Sequence, residues 1–161
     1  MAVEYFREKY FPFSNFSNHR VYYGGNEYAT SEHAFQAAKA TNETDRAYVA
    51  AATSPTKAKR RGREIACRSD WDEVKDTIML HIVYLKVLQN EDVRLLLLGT
   101  GEEELIEGNW WKDDYWGKVK RNGKWEGRNV LGRTFMLVRD ILRTQAEKGF
   151  KVDVWTGNVL D

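Results

Sequence analysis

Thr30-Ser31-Glu32-His33-Ala34-Phe35-Gln36-Ala37-Ala38-Lys39-Ala40 is the stretch on which the reading of this chain turns. Thr30 or Ser31 can act as N-cap, accepting from the first free backbone N–H groups, and Glu32 follows near the positive end of the helix dipole. Four alanines and no internal Gly or Pro predict one short helix over residues 30–40. Glu32, Phe35, Gln36 and Lys39 stand at i, i+3, i+4 and i+7, so they share a face. The opposite side is nearly all alanine, which suits close packing against another helix. A helix that packs by its small side and gathers Glu, Gln and Lys is a candidate floor for an active site. The plain alternative is an ordinary amphipathic helix with a solvated Glu/Lys face.

Upstream, Val3 to Phe6 reads as a first strand, and Tyr10 to Phe16 as an aromatic loop broken by turn formers. Arg20 to Tyr23, Gly24-Gly25-Asn26 and Glu27 to Ala29 read as a β-hairpin, with glycines where the turn needs positive φ. Downstream, Asn42 is an N-cap for a second helix to about Ala52. Ser54 caps a third, with Pro55 at its first position, where the missing N–H costs nothing. Asp70 caps a long helix whose apolar stripe runs Trp71, Val74, Ile78, Ile82 (or His81), Leu85 and Leu88. Glu91 to Leu98 is a short helix stopped by Gly99 and Gly101. Leu105 to Glu107 reads as a strand and Asn109 to Gly117 as a strand end plus loop. Turns at Asn122-Gly123 and Glu126-Gly127 precede a last helix, Val130 to Lys148, ending at Gly149. Phe150 to Val154 reads as an edge strand. Strands flank helices without regular βαβ alternation, which predicts an α+β fold: one mostly helical domain with a small antiparallel sheet. Residues 143–161 form a C-terminal extension packed on it.

Composition narrows the function classes. At 161 residues, 30% charged and 42% hydrophobic, the chain can bury a core without staples. A net charge of +1 makes no global electrostatic case for nucleic acid or membrane. Cys67 is the single cysteine, so no internal disulfide or multi-cysteine metal site can form, and a buried structural thiol is expected there. The first residues lack a signal-peptide layout and no apolar run could span a bilayer, which predicts a cytoplasmic or nuclear protein without membrane contact. Phosphate-loop, zinc-protease and nucleophile-elbow motifs are absent. His19, His33 and His81 lie on separate elements without ligand spacing, so no metal is expected; His33 points away from Glu32 and suits a packing role.

Several separated signals then line up. Phe13-Ser14-Asn15-Phe16 precedes the opening helix; Ser54-Pro55, Ala58-Lys59-Arg60-Arg61-Gly62-Arg63 and Trp71 follow it. Asp113-Asp114-Tyr115-Trp116-Gly117 and Asn129-Val130-Leu131-Gly132 come last, with Lys86, Gln89, Arg94 to Leu97, Thr100, Met136 and Arg139 between and after. In this order they resemble the NADAR family of YbiA-like N-glycosidases, from about Tyr10 to Leu142. The resemblance implies cleavage of an N-glycosidic bond on a ribose, without metal or cofactor. It implies one of two substrates: ADP-ribose on a modified guanine of a nucleotide, DNA or RNA, or a phosphoribosylamine intermediate of riboflavin synthesis. The first is preferred here, since no fused pathway domain favours the second. A non-catalytic reader of ADP-ribose would have no need of the nucleophile.

The resemblance places the family's helix Glu and Lys on Glu32 and Lys39, and its Asp on Asp113 rather than Asp114. N-glycoside cleavage builds positive charge on the ribose, which a nearby carboxylate stabilises. A neutral amine can attack the anomeric carbon and form a Schiff base. Lys39 is therefore the expected nucleophile, Glu32 the acid/base that orients sugar hydroxyls, and Asp113 a second acid or ribose holder. Arg60 and Arg63 suit phosphate, through the guanidinium fork. Asn15 and Asn129 suit ribose or phosphate, Phe16, Trp71 and Trp116 a base, and Gln36 and Gly117 complete the expected substrate contacts. A monomer is expected.

Overall fold

A computed structural model describes residues 2–161. The chain opens with β1 (Ala2–Val3) and a 3-10 turn, Glu8–Phe13, where the sequence suggested a longer strand and a loop. The hairpin follows as β2 (Val21–Tyr23) and β3 (Asn26–Tyr28). Tyr23 pairs with Asn26 across Gly24 and Gly25, whose φ of 58° and 87° only glycine adopts freely.

Five helices come next: α1 (Ser31–Ala37), α2 (Glu43–Ala50), α3 (Pro55–Glu64), α4 (Trp71–Gln89) and α5 (Glu91–Gly99). Three begin as the sequence predicts, with Thr30, Asn42 and Ser54 accepting from the backbone N–H three residues on. Asp70 does not cap α4 with its side chain, because both carboxylate oxygens are engaged by Arg68, at 2.6 and 3.0 Å. The first helix stops three residues earlier than expected. Ala38 and Lys39 close it as a turn, with Lys39 N–H donating to Gln36 O at 3.2 Å.

The strands β4 (Glu104–Leu105), β5 (Gly108–Asn109), β6 (Lys118–Arg121) and β7 (Lys124–Glu126) lead into α6 (Val130–Glu147), and the chain ends in β8 (Lys151–Val152) and β9 (Val159–Leu160). The α+β class is as read, with helix covering nearly half the chain. The strands form four small sheets rather than one antiparallel sheet: β1 runs parallel to β4 and β5 parallel to β6, while the other three pairs are antiparallel.

The core lies between α4 and α6. Ile82, Val83, Phe135 and Val138 are fully buried there, and Phe6 and Phe13 meet Phe135 at 5.8 and 5.0 Å between ring centres. Helix α1 packs on α2, α3 and α4 and has no solvated side: all seven of its residues are buried. The C-terminal segment is tied down by Tyr84, whose hydroxyl donates to Gly157 O, and by Gln89, which donates to Val154 O. Among the described residues no helix is long and apolar enough to cross a membrane.

Candidate active site

A cleft of about 470 Å³ opens over α1. Its floor is the Glu32, Phe35 and Gln36 stripe; Lys59 of α3 and Met79 of α4 close one side, and Ser14-Asn15-Phe16 another. Arg7, Phe11 and the 107–116 segment form the far wall.

Asn15 joins the loop to the helix. Its backbone carbonyl accepts from Glu32 N–H at 3.0 Å, and its Oδ1 accepts from the Ser31 hydroxyl at 3.0 Å. Together with the Thr30 cap, this fixes where the first helical turn points. Glu32 is 6% exposed, and burial pushes its carboxyl up from the usual range. Gln36 Nε2 donates to Glu32 Oε1 at 2.8 Å and favours the ionised form against that burial. The other Gln36 atom, Oε1, is buried without a partner and lies against Gly62: a Cβ at that position would fall 2.1 Å from it.

Asp113 also lines the cleft. Its Oδ1 accepts from Tyr115 N–H at 3.1 Å and Trp116 N–H at 2.9 Å, and Asn109 brackets its backbone from both sides, at 2.7 and 2.9 Å. Trp116 lines the cleft and stands edge-on to Phe35, with ring centres 5.2 Å apart.

Lys39 is placed differently from the helical projection. Because the helix ends at Ala37, its side chain is not part of the cleft lining but half-buried at the edge, its amine 5.7 Å from the Trp71 ring centre. Burial holds that amine below the usual lysine range; Cys67 and Glu32 oppose the shift, and the cations Arg63 and Lys59 add to it. Lys39 and Glu32 therefore lie within electrostatic reach of each other, as the same pairing seen from Glu32 requires.

The remaining expected contacts divide. Asn15, Phe16, Gln36 and Trp116 line the cleft. Arg63 is exposed but within electrostatic reach of Glu32 and Lys39, whereas Arg60 points to Glu64 at 4.0 Å. Trp71 is a wall behind Phe35, at 4.9 Å. Gly117 and Asn129 hold the scaffold. A Cβ on Gly117 would fall 2.1 Å from Glu107 O; Asn129 donates to Leu105 O and accepts from Glu107 N–H, tying the end of β4 to the residue before β5. Cys67 is exposed, not buried, because it sits in the open segment after α3. His33 is buried, bonded to Thr30 Oγ1 and Ala52 O.

Lys59 and Glu107 are among the cleft residues that went unread in the sequence. Lys59 was one cation among several on a basic helix. Glu107 closed a short apolar strand and carried no motif. Its Oε2 is buried without a partner, and burial, with Asp113 beside it, pushes the carboxyl up to about 8. The cleft thus holds an acid that keeps its proton at neutral pH beside a carboxylate bound as an acceptor. Outside the lining, within electrostatic reach of Glu32, stands an amine that burial holds below the usual lysine range. Such a set can attack a carbon, accept a proton and donate one.

Comparison with known proteins gives a consistent picture. Residues 4–143 match the family model described as NADAR domain. A Nostoc punctiforme protein named N-glycosidase Npun_R5314 is 37% identical over 150 residues, covering 89% of this chain and 94% of its own. Escherichia coli N-glycosidase YbiA is 35% identical over 137 residues, 84% of this chain and 83% of its own. A Vibrio vulnificus riboflavin biosynthesis protein, VVA0006, is 36% identical over 135 residues, which are 83% of this chain but 36% of that protein. The NMR structure of E. coli YbiA superposes with a TM-score of 0.78 at 32% identity, covering 91% of this chain and 88% of its own.

Proposed function

This chain belongs to the NADAR domain family, and from that premise we propose that it is an N-glycosidase that frees a guanine base from ADP-ribose through a Schiff base on Lys39. The observation that supports the reading best is the pairing at the cleft floor. A buried carboxyl, Glu32, lies within electrostatic reach of a lysine amine held below its usual range by burial. A lysine on an open helical face would be fully protonated and could not attack.

The reaction runs in balanced steps. The neutral Lys39 amine attacks the anomeric carbon of the ribose; Glu32 takes the proton the amine sheds. The carbon–nitrogen bond breaks toward the guanine amine nitrogen, which receives the proton held by Glu107. The sugar ring then opens, its ring oxygen taking back the proton that Glu32 accepted as the carbon–nitrogen double bond to Lys39 forms. Water adds to that carbon, the adduct collapses to ADP-ribose and the free amine, and the proton the water sheds restores Glu107. Asp113, fixed by two backbone donors, steadies the positive charge that builds on the ribose. Lys59 in the cleft lining takes the diphosphate, with Arg63 within electrostatic reach of Glu32 and Lys39 as a second cation for it, and Phe16 and Trp116 offer aromatic surface to a base.

Incubation with ADP-ribosylated guanosine monophosphate and borohydride, followed by peptide mapping, tests the reading. A covalent sugar adduct on Lys39 is the expected result. An active enzyme that yields no adduct rules out the imine, and an adduct on Lys59 moves the nucleophile. A second reading, hydrolysis of a phosphoribosylamine intermediate, draws on the riboflavin biosynthesis protein of V. vulnificus, similar over 36% of that protein's length. Turnover of both substrates side by side decides between them.

A further inference from the structure

The loop between β5 and β6 carries two tryptophans that the core does not use. Trp110 is 65% and Trp111 53% exposed, edge to face with ring centres 5.2 Å apart. Trp111 and the exposed Phe11 form the outer wall of the cleft, and Trp110 stands just beyond the lining. Arg7, also part of that wall, lays its guanidinium 4.7 Å from the Trp110 ring centre and 4.5 Å from that of Tyr5. Arg7, Lys9 and Lys112 make no ion pair among the described residues. Of the exposed carboxylates in the same segments, Asp114 is paired with Arg121 and Glu4 accepts from the Trp125 indole, which leaves Glu8 alone without a partner against three unpaired cations among the described residues.

Aromatic faces set among unpaired cations are what a single nucleic-acid strand binds: bases stack on the rings whatever their sequence, and the cations follow the phosphates. A duplex offers no free base face. We infer that Trp110, backed by Arg7, stacks on the base that neighbours the modified nucleotide in a single strand, so that the preferred substrate is the strand rather than the free nucleotide. The inference rests on the cleft taking an ADP-ribosylated guanine. The adenine of ADP-ribose has aromatic surface of its own inside the cleft, at Phe16 and Trp116. Trp110, outside the lining, is left for what emerges from the mouth.

The test uses the full chain and a dye-labelled, unmodified thymidine hexanucleotide, followed by fluorescence anisotropy. Binding should be saturable and about tenfold weaker in Trp110→Ala, the loss of roughly one stacked base. It should be restored in Trp110→Tyr, which keeps a stacking face. Arg7→Ala should lower the salt slope of binding by about one. No binding to the strand, equal affinity for the duplex, or binding to phosphatidylserine vesicles in its place would overturn the inference. So would a loss of free ADP-ribose affinity in Trp110→Ala as large as the loss for the strand. In turnover, the preference for a modified guanine within the hexanucleotide over the same mononucleotide should fall about tenfold in Trp110→Ala. Trp110-dependent strand binding with no turnover of either substrate refutes the glycosidase reading alone. Turnover of both substrates without dependence on Trp110 refutes the platform alone.

Discussion

Two lysines bear on Glu32, and their burial separates their roles. Lys39 is half-buried with its amine held down by desolvation and by neighbouring cations; Lys59 lines the cleft where a diphosphate would lie. Lys39→Ala should abolish both turnover and the borohydride adduct, whereas Lys59→Ala should keep the adduct on Lys39 and raise KM, about tenfold for one lost charge-assisted contact. A mutant scan read by mass spectrometry and steady-state kinetics checks this, and an adduct persisting in Lys39→Ala would reverse the assignment. The carboxyls divide in the same way. Glu32 accepts from Gln36, while the unpartnered Glu107 keeps its proton up to about 8. In wild type, kcat/KM should therefore fall as pH rises through about 8. Glu107→Gln should lower it about a hundredfold and lose that alkaline limb. An unchanged pH–rate profile would remove Glu107 from the chemistry.

At the scale of elements, the contact between α1 and α3 is what holds Glu32 in place. Gly62 lets α3 approach until Gln36 Oε1 lies where a Cβ would be, so Gly62→Ala must displace Gln36 and release its grip on Glu32. A stability loss of about 1–3 kcal/mol and a drop in kcat larger than the change in KM should follow, measured by thermal melts and kinetics. Loss of the Ser54 cap, by contrast, should lower stability by about 1 kcal/mol through α3 and leave the chemistry less affected. These caps were legible in the sequence because each hydrogen bond spans three residues. The Glu32, Phe35 and Gln36 stripe was legible for the same reason, since one helical turn sets it. Lys39 was not. No glycine or proline marks the end of α1, so the helical projection ran past Ala37 into a turn. Glu107 and Lys59 were hidden for another reason: they reach the cleft from distant elements, and two-residue strands such as β1 and β4 pair across the chain without leaving a pattern. Asp70 was misjudged because Arg68, two residues before it, competes for its carboxylate.

Over the whole molecule, one buried cation joins the cleft loop to the helical core. Lys86 of α4 is fully buried and donates to Ser14 O and Ser17 Oγ, each at 2.9 Å; Ser17 meets His19 Nδ1, and His19 Nε2 meets Asp92 at the start of α5. Ser14 itself lines the cleft, so this chain of contacts ties the mouth of the site to overall stability. Burial pulls Lys86 down from 10.5 to about 7, while Glu107 is pushed up from 4.5 to about 8. The two act on stability in opposite directions. Between about 4.5 and 8 the unfolded chain has released the Glu107 proton that the folded chain keeps, so this group's contribution is full at low pH and is lost as pH rises through 8. Between about 7 and 10.5 the unfolded chain holds the Lys86 proton that the folded chain has shed, so this contribution is lost as pH falls through 7 and returns above it. Stability should therefore pass through a minimum near pH 7–8, where both penalties meet. Glu107→Gln, neutral at every pH, should remove the falling limb only. Its melting temperature relative to wild type should stay level near pH 4.5, climb toward pH 8 and then hold, while the rise above pH 7 from Lys86 persists in both proteins. Thermal melts at constant ionic strength from pH 4.5 to 10 measure the difference directly. A difference that does not change with pH would mean that Glu107 titrates in the folded protein as it does in water, and would take with it the neutral acid on which the leaving-group step depends.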